Sequence, residues 1–451
     1  MSIAMINFRK FQLWNHNHLP LSFLTVLALA TLLAGVALVK APFAAPTPVY
    51  LDVAEDVLRG RVIRSTFLPV GYVAFLVCFM KLGGLAGIFA GQAIAYVVTI
   101  CLTYLILHRL RVSDTTSLLA SSIVAMHPYL LLNTKRVIDH NVLIPLFLAF
   151  VLYTLRVTRR GASYADWLLL GIVSGAMVTV RPNCITLFVL PVAGCISRGR
   201  DVLRSLGVFL GAALIAVAAV TIPLTSRFFI FSDNGAYNFF AGANDFAFDE
   251  LINRYNAELA VQRAVKELGL PADPPLSVQR QGVDYLEQHP LFQPNMTALY
   301  IRWGMTYWRE HPDRMLALTG LKVVNLFRPD YRQVYRSHVA PPIVIMIMQT
   351  LLALPALVWT LLRLSRWHRP LCNNCTLNSA GVVGLAAVLY VLPFALTNSD
   401  PRFRLPLDLI FILDIACFLG ARQSDTGTPK HVVTSTCTNL DSYVSCGSNG
   451  H

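Results

Sequence analysis

Three carboxylates lie close together early in the chain. Asp52, Glu55 and Asp56 occupy positions that share one face of a helix. A carboxylate can take a proton from a hydroxyl group, so this face could supply a general base. Guanidinium groups hold phosphate in a planar fork, and three of them follow at once: Arg59, Arg61 and Arg64. An ordinary solvated surface helix would show the same pattern of charges.

A second set of charged residues lies where apolar runs end. Its members are Lys135, Arg136, Asp139, His140, Asp400, Arg181, Arg402 and Arg404. Charges at membrane depth are costly and are usually paired or functional. A shared cavity with acidic and basic walls suits a phosphate-bearing substrate that is embedded in lipid. Taken alone, Arg181 is also explained as an interfacial anchor, and Asp139 with His140 as a helix-capping pair.

The composition identifies the kind of protein that carries these charges. Of the 451 residues, 55% are hydrophobic and 14% are charged, whereas about 25% of a soluble domain is charged. The mean hydropathy is +0.56. We therefore predict an all-α polytopic membrane protein. The net charge of +13 fits basic cytoplasmic loops, and no repeated aromatic and basic pattern indicates binding to nucleic acid.

Apolar runs divide the chain into about ten predicted transmembrane helices. The Lys and Arg clusters at alternate ends place both termini inside. The first run is longer than a signal-peptide core, so we predict that it is retained. The runs are 19–45, 85–107, 114–132, 141–155, 167–180, 184–196, 206–224, 341–362, 380–396 and 405–419.

The topology divides the chain into five segments. They are a cytoplasmic N-terminus (1–18), an N-terminal transmembrane module (19–224) with an acidic first outer loop (46–71), an external segment (225–338), C-terminal transmembrane helices (339–420) and a cytoplasmic tail (421–451). Residues 67–82 form a short apolar run that we expect to lie along the interface or to re-enter rather than to cross.

The external segment has local signals of its own. Residues 277–289 and 299–309 read as short helices, and 312–327 as an amphipathic helix that lies on the membrane. Residues 234–244 combine Gly, Asn and Tyr at close spacing, which predicts a turn that lets the backbone approach a ligand or that docks the segment on the bundle.

Several features occur in an order that resembles a known family. They are the acidic outer loop, Pro-Val-Gly-Tyr at 69–72, an Arg and an Asp between the third and fourth spans, a glycine-rich helix ending at Arg181-Pro182, the 234–244 element and Arg-Phe-Arg-Leu-Pro at 402–406. This order resembles the membrane glycosyltransferases of the protein O-mannosyltransferase and lipid A aminoarabinose-transferase type, which belong to the GT-C superfamily and are similar to glycosyltransferase family 39. The resemblance covers about residues 20–420.

The resemblance implies a GT-C-like bundle of about ten transmembrane helices with interfacial helices. It also implies a transferase that takes a sugar from a polyprenyl-phosphate carrier, at the outer face of the membrane, and gives it to a lipid, glycan or protein acceptor. The elements that match assign substrate and phosphate binding to Arg136, His140, Arg181, Tyr72, Tyr237, Asn238, Arg402 and Arg404.

The general base is the point where this sequence departs from the family. A carboxylate in the first outer loop is the usual base there, and it normally precedes the tyrosine that Tyr50 matches. Residues 45–47 read Ala-Pro-Thr here. Either Asp52 or Asp139 then takes this role, or the protein is an inactive relative. No cofactor is firmly predicted, although a divalent metal could bridge phosphate to Asp139 or His140.

The short tails favour a bacterial protein, so the expected carrier is undecaprenyl phosphate. The expected location is the inner membrane, with the active site facing the periplasm and a role in the cell envelope, in lipopolysaccharide or protein glycosylation. Two other functions stay open. One is a polyprenyl-linked sugar transporter or flippase, although no internal repeat or pair of broken midplane helices indicates alternating access. The other is a non-catalytic binding protein of the GT-C type.

Overall fold

The computed structural model describes residues 18–38, 48–158, 162–196, 202–228, 232–253, 257–269, 282–327, 379–397, 403 and 405–426. Every regular element in these ranges is a helix, as the all-α prediction requires. The α-helices are α1 (His18–Leu38), α2 (Pro48–Leu58), α3 (Val70–Arg109), α4 (Asp114–Ala125), α5 (Pro128–Asn133), α6 (His140–Val157), α7 (Tyr164–Val180), α8 (Val189–Ile196), α9 (Val202–Thr225), α10 (Asn234–Ala241), α11 (Ala257–Glu267), α12 (Val283–Gln288), α13 (Pro294–Glu310), α14 (Pro312–Phe327), α15 (Ser379–Leu396) and α16 (Leu405–Thr426).

Three of the described helices, α3, α6 and α9, are long and apolar enough to cross a membrane. Shorter apolar helices occur within the ranges Ser22–Leu33, Tyr164–Val180, Pro182–Ala193 and Val382–Leu396. The chain is therefore a membrane protein that is mostly helical. The count of ten spans stays a prediction, and the run 341–362 lies outside the described residues.

Helix α3 is a hairpin of two helical arms rather than one straight rod. The backbone leaves helical geometry at Gly83 and at Gly84, whose φ of 59° favours glycine. A Cβ at Gly91 would lie 2.7 Å from the ring of Phe79, whereas residues twelve apart in a straight helix are about 18 Å apart. The first arm, 70–82, thus folds back against the second arm. The expectation that 67–82 does not cross the membrane stays a prediction.

Two predicted spans are interrupted. The run 114–132 forms α4 and α5, because Pro128 disfavours helical geometry in the residue before it. Ser113 caps α4, with its Oγ accepting from the Thr116 amide at 3.3 Å. The run 184–196 begins inside a 3₁₀ helix, Pro182–Phe188, and only its second half is the α-helix α8.

The external segment is more helical than the sequence indicates. Helix α14 has the predicted bounds, and α12 and α13 lie where short helices are expected. The prediction of a turn at 234–244 is wrong, because Asn234–Ala241 is a helix that ends at Gly242. Tyr237, Phe240 and Ala241 repeat at helical spacing and are buried, so packing outweighs the weak helix propensity of Gly and Asn.

Candidate active site

The candidate site is built at the start of α6 and the end of α7. Asp139 directly precedes α6, and its backbone adopts helical geometry there without a side-chain capping bond. The interpretation of Asp139 as a helix-capping residue is therefore wrong. Arg181 directly follows α7, and its amide donates to the Met177 carbonyl at 2.9 Å. Asp139 thus lies at the first turn of α6, and the last turn of α7 holds the backbone of Arg181.

Asp139, His140 and Arg181 form one cluster, called here the Asp139 cluster. Asp139 Oδ1 lies 2.8 Å from His140 Nδ1, and Asp139 Oδ2 lies 3.5 Å from an Arg181 terminal nitrogen. The other terminal nitrogen of Arg181 lies 3.2 Å from His140 Nε2. Asp139 is 7% exposed and His140 is 1% exposed. Solvent therefore screens these charges less than it screens surface pairs.

Aromatic rings surround the guanidinium of Arg181. Its central carbon lies 4.1 Å from the Phe403 ring centroid and 5.7 Å from that of Phe394. Phe403 also stacks on His140 at 5.7 Å, and the Tyr390 hydroxyl lies beside Arg181. Cation–π contacts with these rings stabilise the guanidinium. The rings give the site an apolar wall that suits a lipid-borne substrate.

A polar network holds the loop that carries Asp139. Asn141 Nδ2 donates to the Asn133 carbonyl at 2.7 Å and to the Arg136 carbonyl at 2.9 Å. The same amide donates to Gln92 Oε1, and Gln92 in turn donates to the Thr134 carbonyl at 3.4 Å. All of these acceptors lie on the loop or on the second arm of α3. The network therefore fixes the loop against the bundle.

Gly71 sets the distance between α3 and α7. A Cβ at this position would lie 2.4 Å from Thr179 Oγ1 and 2.6 Å from the Val180 amide nitrogen. Only a residue without a side chain allows this approach. Tyr72 follows Gly71 and is fully buried, with its ring edge-on to Tyr50 at 5.2 Å and its hydroxyl 3.5 Å from Gln92 Oε1. Tyr72 thus lies beside the loop network, and its role in substrate binding stays a prediction.

Asp52 and Asp56 lie one turn apart on α2. Asp56 is buried, accepts from the Val283 amide at 3.0 Å and faces the start of α12. Tyr50 faces Tyr72 instead. Because neighbours two apart on a helix differ by about 200°, Asp52 and Tyr50 project from nearly opposite sides of α2. Asp52 stays a candidate base, but the structure places Asp139 rather than Asp52 against Arg181.

The arginines of the first loop contact carboxylates. Arg59 lies 3.4 Å from Glu55, and Arg61 contacts both Asp56 and Asp284. Asp284 belongs to α12, so Arg61 links the two helices. The contacts observed for Arg61 are those of a docking surface between α2 and α12, whereas Arg59 contacts carboxylates of α2 itself.

The remaining predicted residues lie in several places. Tyr237 is in an aromatic cluster with Phe67 and Tyr300, at 5.5 and 5.7 Å between ring centroids. Asn238 donates to the Asn234 carbonyl at 2.8 Å, one turn back along α10. Arg136 is half-buried in the loop before Asp139. Two predicted residues, Arg402 and Arg404, lie outside the described residues.

A buried lysine lies where the segment 225–338 packs against the bundle. Lys322 of α14 is fully buried and donates to the Gly242 carbonyl at 2.7 Å. A Cβ at Gly242 would also lie 1.8 Å from the Thr397 carbonyl oxygen, just beyond α15. Burial lowers the pKa of Lys322 to about 7. Thr397 is one turn from Phe394, so this junction adjoins the aromatic wall of the Asp139 cluster.

A family model described as dolichyl-phosphate-mannose-protein mannosyltransferase matches residues 65–225. The family resemblance is confirmed over this stretch. It includes the whole Asp139 cluster and excludes Asp52. The match indicates a membrane glycosyltransferase of the GT-C type. Neither the search of curated proteins nor that of solved structures found a match.

For a GT-C glycosyltransferase, the cluster contains the required types of group. Asp139 can accept a proton, and Arg181 has five N–H donors for phosphate oxygens. Asp139 and His140 are also the two side chains here that could ligate a divalent metal. Within the described ranges, no group of three or more His, Cys, Asp and Glu side chains forms such a site.

Sequence reasoning missed several members of the site. Gln92 is a polar residue inside the apolar run 85–107, and this was a usable signal. Asn141 follows His140 directly but was taken only as the start of a span. Tyr390 and Phe394 resemble any other residue of an apolar run. Their role depends on α15 packing beside Arg181, which sequence spacing does not show.

Proposed function

We propose that this protein is a glycosyltransferase that moves a sugar from a polyprenyl-phosphate carrier to a hydroxyl group of a lipid, glycan or protein acceptor. The observation that carries the proposal is the Asp139 cluster. It combines a carboxylate with a guanidinium, it is largely buried, and it lies within the part of the chain that matches the mannosyltransferase family.

The proposed reaction is a single displacement at the anomeric carbon. The acceptor oxygen attacks this carbon while Asp139 takes the hydroxyl proton. The bond from the anomeric carbon to the phosphate oxygen breaks, and the electron pair leaves with polyprenyl phosphate.

Arg181 stabilises the departing phosphate in this proposal. Its planar fork matches two phosphate oxygens, which a single ammonium does not. A preorganised donor of this kind contributes about 3 kcal/mol to the transition state. The stacked rings of Phe403 and Phe394 hold the guanidinium in place and exclude water from one side.

The proposed side of the membrane is the outer face. Helix α6 begins at the cluster and has Arg156 in its last turn, and the second arm of α3 ends at Arg109. Basic residues favour the cytoplasmic side, so the opposite end of α6 faces outward. On this proposal the carrier is undecaprenyl phosphate and the site faces the bacterial periplasm.

The test uses purified protein in lipid with a panel of radiolabelled polyprenyl-phosphate sugars. Asp139→Asn should lower sugar release or transfer by about 10²- to 10⁴-fold, the usual contribution of a general base. The matched control is Asp52→Asn, which should keep nearly all of the turnover. Loss of turnover in Asp52→Asn alone would move the base to α2. Binding of donor without turnover in the unchanged protein would contradict the transferase function.

Adding a chelator to the same assay tests the role of a divalent metal. We propose that Asp139 and His140 would supply part of its site if turnover needs one. Loss of turnover with chelator, and its recovery on adding back Mg²⁺ or Mn²⁺, would establish the requirement. Unchanged turnover would show that Arg181 and its neighbours suffice for the phosphate.

A further inference from the structure

The external segment contains a cavity of about 360 Å³ that the proposed reaction does not use. Asp245, Tyr307 and Arg314 line its polar side, and Phe248, Leu318 and Leu321 line its apolar side. Sites for small ligands have volumes of about 300 to 1,000 Å³ and combine apolar walls with a few convergent polar groups. The cavity has both properties.

The polar side retains hydrogen-bonding capacity. Asp245 Oδ1 accepts from the Tyr307 hydroxyl at 3.1 Å and from an Arg314 terminal nitrogen at 2.9 Å. Both bonds use one carboxylate oxygen, which leaves Oδ2 as an acceptor. Arg314 has five N–H groups, more than these contacts use. Burial raises the pKa of Tyr307, so its hydroxyl stays protonated.

The charges identify the class of ligand. Asp245 and Arg314 compensate each other, and the Asp245 carboxylate would repel a phosphate group. A neutral sugar is complementary to this arrangement, because each hydroxyl can donate to Asp245 and accept from Arg314. The ring of Phe248 is half exposed and can cover the C–H face of a sugar ring.

The cavity is connected to the Asp139 cluster through packed elements. Asp245 lies three residues after Gly242, the residue that follows α10, and Gly242 packs against Lys322 and Thr397. Thr397 is one turn from Phe394, whose ring centroid lies 5.7 Å from the central guanidinium carbon of Arg181. One chain of packed residues therefore joins the cavity to the Asp139 cluster.

The exposed surface of α14 indicates two sources for such a sugar. Leu316 and Val324 of α14 are 75% and 65% exposed, and Val324 is about one turn from Leu321 of the cavity. An apolar face of this kind lies at a membrane surface. A glycolipid could then present its headgroup to the cavity from the membrane, and a free saccharide could enter from solvent.

We infer that this cavity binds the neutral saccharide part of the acceptor. That the saccharide belongs to the acceptor rests on the proposed function. That the cavity binds a saccharide rests on the cavity alone.

The test measures binding to the full-length protein in detergent by saturation-transfer NMR. The probes are methyl glucoside, methyl mannoside and methyl galactoside, a monoglucosyl diacylglycerol in mixed micelles, and inorganic phosphate. We expect at least one sugar probe to bind and phosphate not to bind. Asp245→Asn and Arg314→Gln should weaken binding by roughly tenfold. Arg309→Gln is the matched control on exposed α13 surface and should bind as the unchanged protein does.

Leu321→Trp provides a second variant that fills the cavity and keeps its three polar residues. It should abolish binding while size-exclusion and thermal unfolding profiles stay those of a folded protein. Binding of methyl glycosides would show that the saccharide alone is sufficient for binding. Binding of the glycolipid alone would show that the saccharide comes from the membrane. Binding of phosphate, no sugar binding at all, or full sugar binding by Leu321→Trp would overturn the inference.

A parallel assay of donor hydrolysis separates the two proposals. Hydrolysis of a polyprenyl-phosphate sugar without saccharide binding would refute the cavity assignment and leave the transferase intact. Saccharide binding without turnover of any donor would refute the transferase and leave a saccharide-binding cavity.

Discussion

The contact surface between α2 and α12 and the Asp139 cluster contain the same kinds of residue in different surroundings. On α2, Asp56 accepts from the Val283 backbone and contacts Arg61, so its partners join two helices. In the cluster, Asp139 contacts the side chains of His140 and Arg181, at the ends of two helices. The first arrangement docks α12 on α2, and the second gathers a carboxylate, an imidazole and a guanidinium at one point.

This difference shows why charge spacing alone is a poor guide to a catalytic site. Acids and arginines are denser in sequence at 52–64 than at 139–181. Dense local charges satisfy one another, as Arg59 and Glu55 do at 3.4 Å. The sparser charges of the cluster are brought together by the bundle, and aromatic rings cover them. Asp56 is itself only 3% exposed, so the aromatic surroundings of the Asp139 cluster distinguish the candidate site better than burial or density does.

A large difference in turnover is expected between the arginines of the two regions. Arg181→Lys should lower turnover by about 10²-fold, because an ammonium cannot replace the planar fork on phosphate. Arg61→Lys is the matched change on α2 and should keep turnover within about twofold, since exposed ion pairs contribute little. Steady-state transfer assays on both variants measure this contrast. Equal losses in the two variants would mean that both regions bind the phosphate.

Asp56 should show the opposite pattern. Asp56→Asn is expected to lower the free energy of unfolding by about 2 kcal/mol, because it weakens a buried, charge-assisted hydrogen bond. Turnover at a permissive temperature should stay close to that of the unchanged protein. Thermal unfolding in detergent measures the loss, with the exposed Asp284→Asn as its control. A catalytic defect without a change in stability would place Asp56 in the site.

Lys322 adds a buried cation to the comparison. Its described hydrogen bond is to a backbone carbonyl and not to a carboxylate. Its folded pKa of about 7 is below its ordinary value, so between pH 7 and about 10 the unfolded chain binds more protons. The free energy of unfolding should therefore rise with pH across this window, by about 1 kcal/mol per unit at most. Lys322→Met should flatten this rise in thermal unfolding scans.

The control for Lys322→Met is Lys266→Met, which removes an exposed lysine from α11. It should retain the dependence on pH of the unchanged protein. The same slope in all three proteins would show that Lys322 keeps its proton when the protein is folded.

The sequence predicted the elements better than their contacts. Helix α14 has its predicted bounds because local sequence signals define it. These signals are an amphipathic period and a proline near each end. The 234–244 helix was missed because the packing of Tyr237 and Phe240 outweighs local turn signals. The break before Pro128 was also missed, although the proline was visible.

The site was partly predictable for a physical reason. Asp139 and Arg181 were identified because charges at the outer ends of spans are exceptions to the usual distribution of charge. Their contact at 3.5 Å joins residues far apart in sequence, and the docking of Asp56 on Val283 joins residues still farther apart. Such pairings depend on how helices pack, which one sequence does not specify.

Gly71 has a consequence for how sharply the site is defined. Its backbone touches the backbone of α7 two residues before Arg181. Contact between the two backbones therefore sets the distance between the helices. Side chains can absorb a small displacement by changing rotamer, but backbone contacts cannot. The two backbones therefore fix the width of the site at this point. A single methyl group added at position 71 would push α3 and α7 apart next to Tyr72 and Arg181.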